Sequence, residues 1–151
     1  MERKKGLIII LILFLTFVNH AQFDQMTYER RVVIKYAAPG SNPAQANGFD
    51  YTMPAKGTFQ VEIIPDRVSI AIQGIPIVID VAVGILFENP NGKLRRGSKR
   101  YTKGPWKHGI GNAFVSFKAT KGQQIRTWYS ASVGGMPCPN VWGKVRIFRI
   151  E

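Results

Sequence analysis

Side chains that commonly carry enzyme chemistry are scarce in this chain. It holds two histidines, His20 and His108, and one cysteine, Cys138. A serine hydrolase triad would have to run through His108, and no Gly-x-Ser-x-Gly turn is present to expose a serine nucleophile. Cys138 and His108 could form a thiolate–imidazole pair in principle, but neither sits in a local signature for one. There is no His-x-His, no Cys-x-x-Cys, no alternating Asp/Asn calcium loop and no phosphate-cradling Gly-x-x-x-x-Gly-Lys motif. The acids are scattered singly, among them Asp24, Glu62, Asp66, Asp80 and Glu88, so no carboxylate pair is set up for glycoside hydrolysis. Asp80 is expected to be a structural hydrogen-bonding carboxylate. These residues predict a protein without catalysis, cofactor or metal.

Positive charge interleaved with aromatic rings is the stronger signal. Lys93–Lys107 carries seven cations in fifteen residues and no acid. Arginine forks match phosphate, sulfate and carboxylate oxygens, and lysines add point charges. Flat aromatic faces stack on sugar rings and bases. Lys93, Arg95, Arg96, Lys99, Arg100 and Lys107 are therefore expected to neutralise an anionic ligand, with Tyr101 and Trp106 stacking on it. The segment's glycines and Pro105 read as a loop or a ragged edge hairpin. Its plainer reading is a solvated loop, or an edge strand whose lysines discourage aggregation. A second possible surface lies on the last two strands. If they share a sheet, Arg126, Trp128, Trp142, Lys144 and Arg146 face outward together. The alternative places both tryptophans in the core.

Strands are needed to position these residues. Thr27–Tyr36 is rich in strand formers, and a long loop to Met53 follows with a short strand at Phe49–Thr52. Thr58–Ile64 and Val68–Gln73 flank Pro65-Asp66 and read as a hairpin. Ile75–Glu88 reads as one core strand, with Ile77, Ile79, Val81, Val83, Ile85 and Phe87 on a wholly apolar face. Asn112–Thr120 and Gln123–Ser132 flank Lys121-Gly122 and read as a second hairpin. Gly134-Gly135-Met136-Pro137 has the composition of a mobile loop, and Val141–Ile150 closes the chain as a strand. Seven or eight strands with many Gly/Pro turns predict an all-β fold: a single β-sandwich, or jelly-roll-like domain.

The amino terminus sets the compartment. Glu2-Arg3-Lys4-Lys5 precedes an apolar run from Leu7 to Val18, short for a membrane span, and Ala21 suits a signal peptidase. Residues 1–21 are read as a signal peptide and 22–151 as a single all-β domain, secreted or held in the periplasm or cell envelope. The leader takes three cations and one acid, leaving 18 Lys+Arg against 8 Asp+Glu, or +10. Such an excess attracts anionic polymers and surfaces without selecting among them. The expected function is non-enzymatic binding of an acidic glycan, lipopolysaccharide phosphate or nucleic acid outside the cell. Two other classes fit the composition. One is a structural or assembly subunit contacting other protein chains; the other is a membrane-active, toxin-like protein.

Overall fold

Alternation of buried and open side chains defines the strands of the computed structural model, which describes residues 26–37, 47–93 and 99–151. The signal-peptide reading falls outside these residues. Among the described residues ten strands run in order: β1 Met26–Ile34, β2 Gly48–Thr52, β3 Gly57–Pro65, β4 Ser69–Ile72, β5 Ile75–Val78, β6 Asp80–Lys93, β7 Lys99–Ile110, β8 Ala113–Ala119, β9 Gln124–Ser132 and β10 Val141–Arg149. Strand β9 shows the rule. Ile125, Thr127, Tyr129 and Ala131 are buried, while Arg126, Trp128 and Ser130 lie on the other side, partly open to solvent.

Eight of the strands form two antiparallel sheets packed as a β-sandwich, in the orders β1-β10-β3-β8 and β2-β9-β6-β7. Strand β1 pairs with β10, β2 with β9, β3 with β8 and β6 with β7. This nesting is that of one long hairpin. Rolling it up adds the β10–β3 and β6–β9 contacts and gives the jelly-roll arrangement. Strands β4 and β5 form a separate two-stranded ribbon inserted before β6.

Three expectations about pairing are corrected. The run Ile75–Glu88 is two strands, not one. It breaks at Ile79, whose N–H donates to Val68 O (2.9 Å) and whose carbonyl accepts from Gly111 N–H (3.0 Å). Strand β3 does not form a hairpin with β4; it lies between β10 and β8, and β4 pairs with β5 instead. Strands β8 and β9 are joined by a tight turn, with Gln123 N–H donating to Thr120 O (3.2 Å), yet they belong to opposite sheets. The turn carries the chain across the sandwich.

The inward faces meet in one core. Phe59 stacks on Phe117 (6.0 Å between ring centroids), and Phe87 reaches Phe117 edge-on from the other sheet (6.3 Å). Val61, Ile63, Val81, Val83, Ile85, Val145 and Ile147 fill the centre. Tyr28, Phe49, Tyr51 and Tyr129 form a second aromatic group from β1, β2 and β9. The Arg30 guanidinium lies over the Phe49 ring (5.0 Å). Buried Thr127 is satisfied by donating its hydroxyl to Phe49 O (3.4 Å).

Burial pushes the Tyr129 phenol up, and the nearby Arg30 and Arg126 only partly oppose it. The unfolded chain ionises this group near its ordinary pKa of 10.0, before the folded chain does. Its contribution to stability is therefore intact below that pH and is lost as pH rises through the folded value. In urea unfolding across the alkaline range, Tyr129→Phe should flatten the loss of stability above about pH 10. Parallel pH profiles for the two proteins would assign alkaline lability to other groups.

Candidate functional site

The outer face of the β2-β9-β6-β7 sheet gathers the aromatic and basic residues, and strand register decides which of them meet. Residues directly opposite in an antiparallel pair share a face. Trp128 on β9 stands opposite Gly48 on β2 and Gly84 on β6, and Gly84 stands opposite Trp106 on β7. The two tryptophans thus flank a glycine in one row. Their rings are tilted by 40° with centroids 6.1 Å apart. Gly84 is the reason they can approach: a Cβ there would lie 2.5 Å from the Trp128 indole. Trp128 lies half-buried across the glycine, and Trp106 is 61% exposed.

A bulge in β7 adds the neighbouring charge. Gly84 pairs with Trp106 and Leu86 with Lys103, so two steps on β6 face three on β7. In a regular strand Lys103 and Trp106 would point to opposite faces. The extra residue at Gly104-Pro105 puts them on the same one, and Pro105 suits a bulge because it has no N–H to bond. Tyr101, Lys103, Trp106, His108 and Ile110 consequently share the outer face, opposite Glu88, Leu86, Gly84, Ala82 and Asp80. On the other side of the tryptophan row, Ala82 and Ser130 make a small-residue floor beside His108.

A polar network braces one flank. Asp50 Oδ1 accepts from the Tyr101 hydroxyl (3.1 Å) and from Arg126 Nη1 (3.2 Å). Gln124 Nε2 donates to Thr52 Oγ1 (2.7 Å). Tyr101, expected to stack on a ligand, is half-buried, and its hydroxyl is tied into this network. Asp80 is structural as expected, its Oδ2 accepting from Gly134 N–H (3.1 Å). That bond pins the Gly134–Met136 segment, which is a tight turn closed by Val133–Met136 backbone bonds (3.0 and 3.1 Å) and not an open loop.

The expected basic segment is an edge hairpin. Lys93 ends β6 and lies opposite Lys99, which with Arg100 opens β7. Arg95 and Arg96 lie outside the described residues. Lys107 stands opposite inward-facing Val83, so it projects from the other side of β7 than Trp106 does.

The second expected surface is divided. Arg126 and Trp128 are on β9, while Trp142, Lys144 and Arg146 are on β10 in the opposite sheet. The two sets face away from each other across the sandwich. The β10 set sits among acids. Arg146 Nε bonds Glu29 (2.7 Å), Lys144 Nζ lies 3.6 Å from the same carboxylate, and Arg31 pairs with Asp66. The Arg146 hydrogen bond chiefly holds the Glu29 carboxyl below its ordinary pKa. Trp142 is 55% exposed, with the Arg31 guanidinium 5.5 Å from its ring centroid.

Sequence reasoning missed Lys103, His108 and Gly84 as members of a tryptophan face. The only signal for the first two was their presence in the basic segment and beside it, and for Gly84 a glycine within an apolar strand. No group of three or more His, Cys, Asp or Glu residues suited to a metal occurs among the described residues. Cys138 is half-buried against the core, and burial pushes its thiol up, away from the thiolate a nucleophile requires.

Fold and site together define a jelly-roll β-sandwich with a paired-tryptophan sheet face. No protein-family model matches the chain, and no curated protein matches it. Among solved structures, a protein from Sulfurospirillum deleyianum aligns over 83% of this chain and 99% of its own, with 8% identity and a TM-score of 0.42. The stem and receptor-binding domain of spike protein P1 from bacteriophage PM2 aligns over 83% of this chain and 66% of that one, with 11% identity and a TM-score of 0.35.

Gly84→Ala should force the Trp128 indole off β6 and cost about 1–3 kcal/mol, the usual range for overpacking. Tryptophan fluorescence should shift in the folded variant. An unchanged spectrum and unchanged stability would mean that the ring does not rest on this glycine.

Proposed function

We propose that the chain is an exported, non-enzymatic binding protein for an extracellular anionic polymer, and that an acidic glycan fits it best. The observation that carries this reading is the Trp106–Trp128 row over Gly84, with Lys103 on the same face and the basic β6–β7 hairpin at its end. Ring faces of this size suit pyranose units, and an open sheet surface suits a chain that passes over it. Lys103 and the hairpin cations supply charge for carboxylate or sulfate groups along that chain. The network of Asp50, Tyr101 and Arg126 keeps the platform rigid before a ligand arrives.

Binding of the purified protein to polygalacturonate, heparin, dextran and single-stranded DNA tests this reading. Affinity for one acidic glycan should fall steeply between about 50 and 200 mM salt, as counterion release requires. Trp106→Ala should weaken it by about 1–3 kcal/mol, the worth of one stacked ring, which is roughly five- to 150-fold. Trp142→Ala, on the opposite sheet, should leave it unchanged. Equal losses in the two variants would remove the tryptophan row from the interface. A preference for DNA over every glycan would replace the ligand class.

A further inference from the structure

The β4–β5 ribbon is an apolar arm at one end of the sandwich. Its register pairs Ile70 with Ile77 and Ile72 with Ile75, so four isoleucines share one face. Ile70 packs against the core and Ile77 is half-buried. Ile72 and Ile75 project further, 40% and 63% exposed. The turn between the strands is Gln73-Gly74, with φ of 52° and 79°, the left-handed pair of a two-residue hairpin. No charged residue occurs from Ser69 to Val78.

The two edges of this ribbon differ. In a two-residue hairpin the pair flanking the turn exchanges both backbone bonds, and bonded and non-bonded pairs then alternate. Ile72–Ile75 and Ile70–Ile77 are the bonded pairs, and the Ile79 N–H bond to Val68 O continues the series. Ser69 and Ala71 therefore turn their N–H and C=O groups away from β5. No bond from another described residue reaches them. On β5 the matching outward position opposite Ala71 is Pro76, which has no N–H to offer. Proline interrupts the β5 edge, whereas the β4 edge keeps both outward N–H groups. The outermost strands of the sandwich are guarded by charge: Glu29, Arg30 and Arg31 on β1, Asp50 on β2, Lys103 and Lys107 on β7, and Lys118 on β8. Strand β4 has no such guard.

We propose that β4 pairs edge to edge and antiparallel with β4 of a second copy of this chain, forming a two-fold dimer through a continuous four-stranded sheet. A two-fold contact of this kind is self-complementary, and Pro76 on the far edge of each arm stops growth at two copies. Antiparallel pairing keeps both isoleucine faces on one side. It also lays the tip of each arm along the base of the other, so that Ile72 and Ile75 come beside the other copy's Val68 region. Val68, Ile72 and Ile75 are each two-fifths or more exposed, and Val68 adjoins Gly111 just after β7. The tryptophan face takes no part, so this dimer does not depend on the glycan reading.

Sedimentation equilibrium of the purified protein from about 1 to 100 µM tests the proposal, since a dimer's population follows concentration. The mass should approach two chains at the upper end. Ala71→Pro removes the outward N–H without touching the bonds to β5, and should hold the mass at one chain. Ile72→Lys guards the arm with charge and should do the same. Near-ultraviolet circular dichroism establishes that each variant is folded before its mass is read. A single-chain mass for the unaltered protein at every concentration would overturn the proposal. So would a dimer persisting in folded Ala71→Pro, or growth beyond two copies.

Discussion

The pleat of β6 is the constraint on which the rest of the structure depends. This strand lies between β9 and β7, and Val81, Val83 and Ile85 on its inner side are buried in the core. Side-chain direction in a strand has a period of two, so a slip of one residue would exchange the core face for the solvent face. Burial of these three β-branched residues therefore forces Ala82, Gly84 and Leu86 outward. Register then places Trp128 and Trp106 on either side of Gly84. The tryptophan row is a consequence of the core on the other side of the same strand.

Charge is distributed differently on the two outer faces, and local pairing explains the difference better than the net excess does. On the β1-β10-β3-β8 face, Arg146 and Lys144 share Glu29, and Arg31 meets Asp66. Exposed pairs of this kind add little stability. They do cancel much of the field that a polyanion would feel. On the other sheet Arg126 is tied to Asp50, but the β6–β7 hairpin brings a run of cations that contains no acid from Lys93 to Lys107.

Sequence patterning exposed the single strands far better than it exposed their partners. The inward and outward sides of β9 and β10 were legible because each alternates cleanly over nine residues. So was the all-β sandwich, from strand number and turn composition. Partner choice was not legible. Lys121-Gly122 makes a tight turn whether the flanking strands pair or cross to the opposite sheet, and local turn chemistry is the same in both cases. This is why Trp128 and Trp142 could be imagined on one surface. The break at Ile79 was hidden for a related reason: apolar alternation continues through it, and only its bonds to Val68 and Gly111 reveal the break. The bulge at Gly104-Pro105 was hidden too, although it decides that Lys103 joins Trp106 and Lys107 does not.

The rolled-hairpin topology also separates two kinds of surface along the sandwich. Connections in such a fold alternate between its ends. The segments after β3, β5, β7 and β9 lie at one end, where Val68, Ile72, Ile75, Val78, Ile110, Met136 and Trp142 are exposed. The segments after β2 and β8 and the end of β6 lie at the other, with Lys56 and Lys121. Most of the exposed large apolar side chains thus gather at one end, beside exposed Asp66 and Arg67. The tryptophan face lies between the two ends on a sheet surface that neither covers. Separation of this kind requires no additional domain. It follows from placing apolar residues in alternate connections of a single rolled chain.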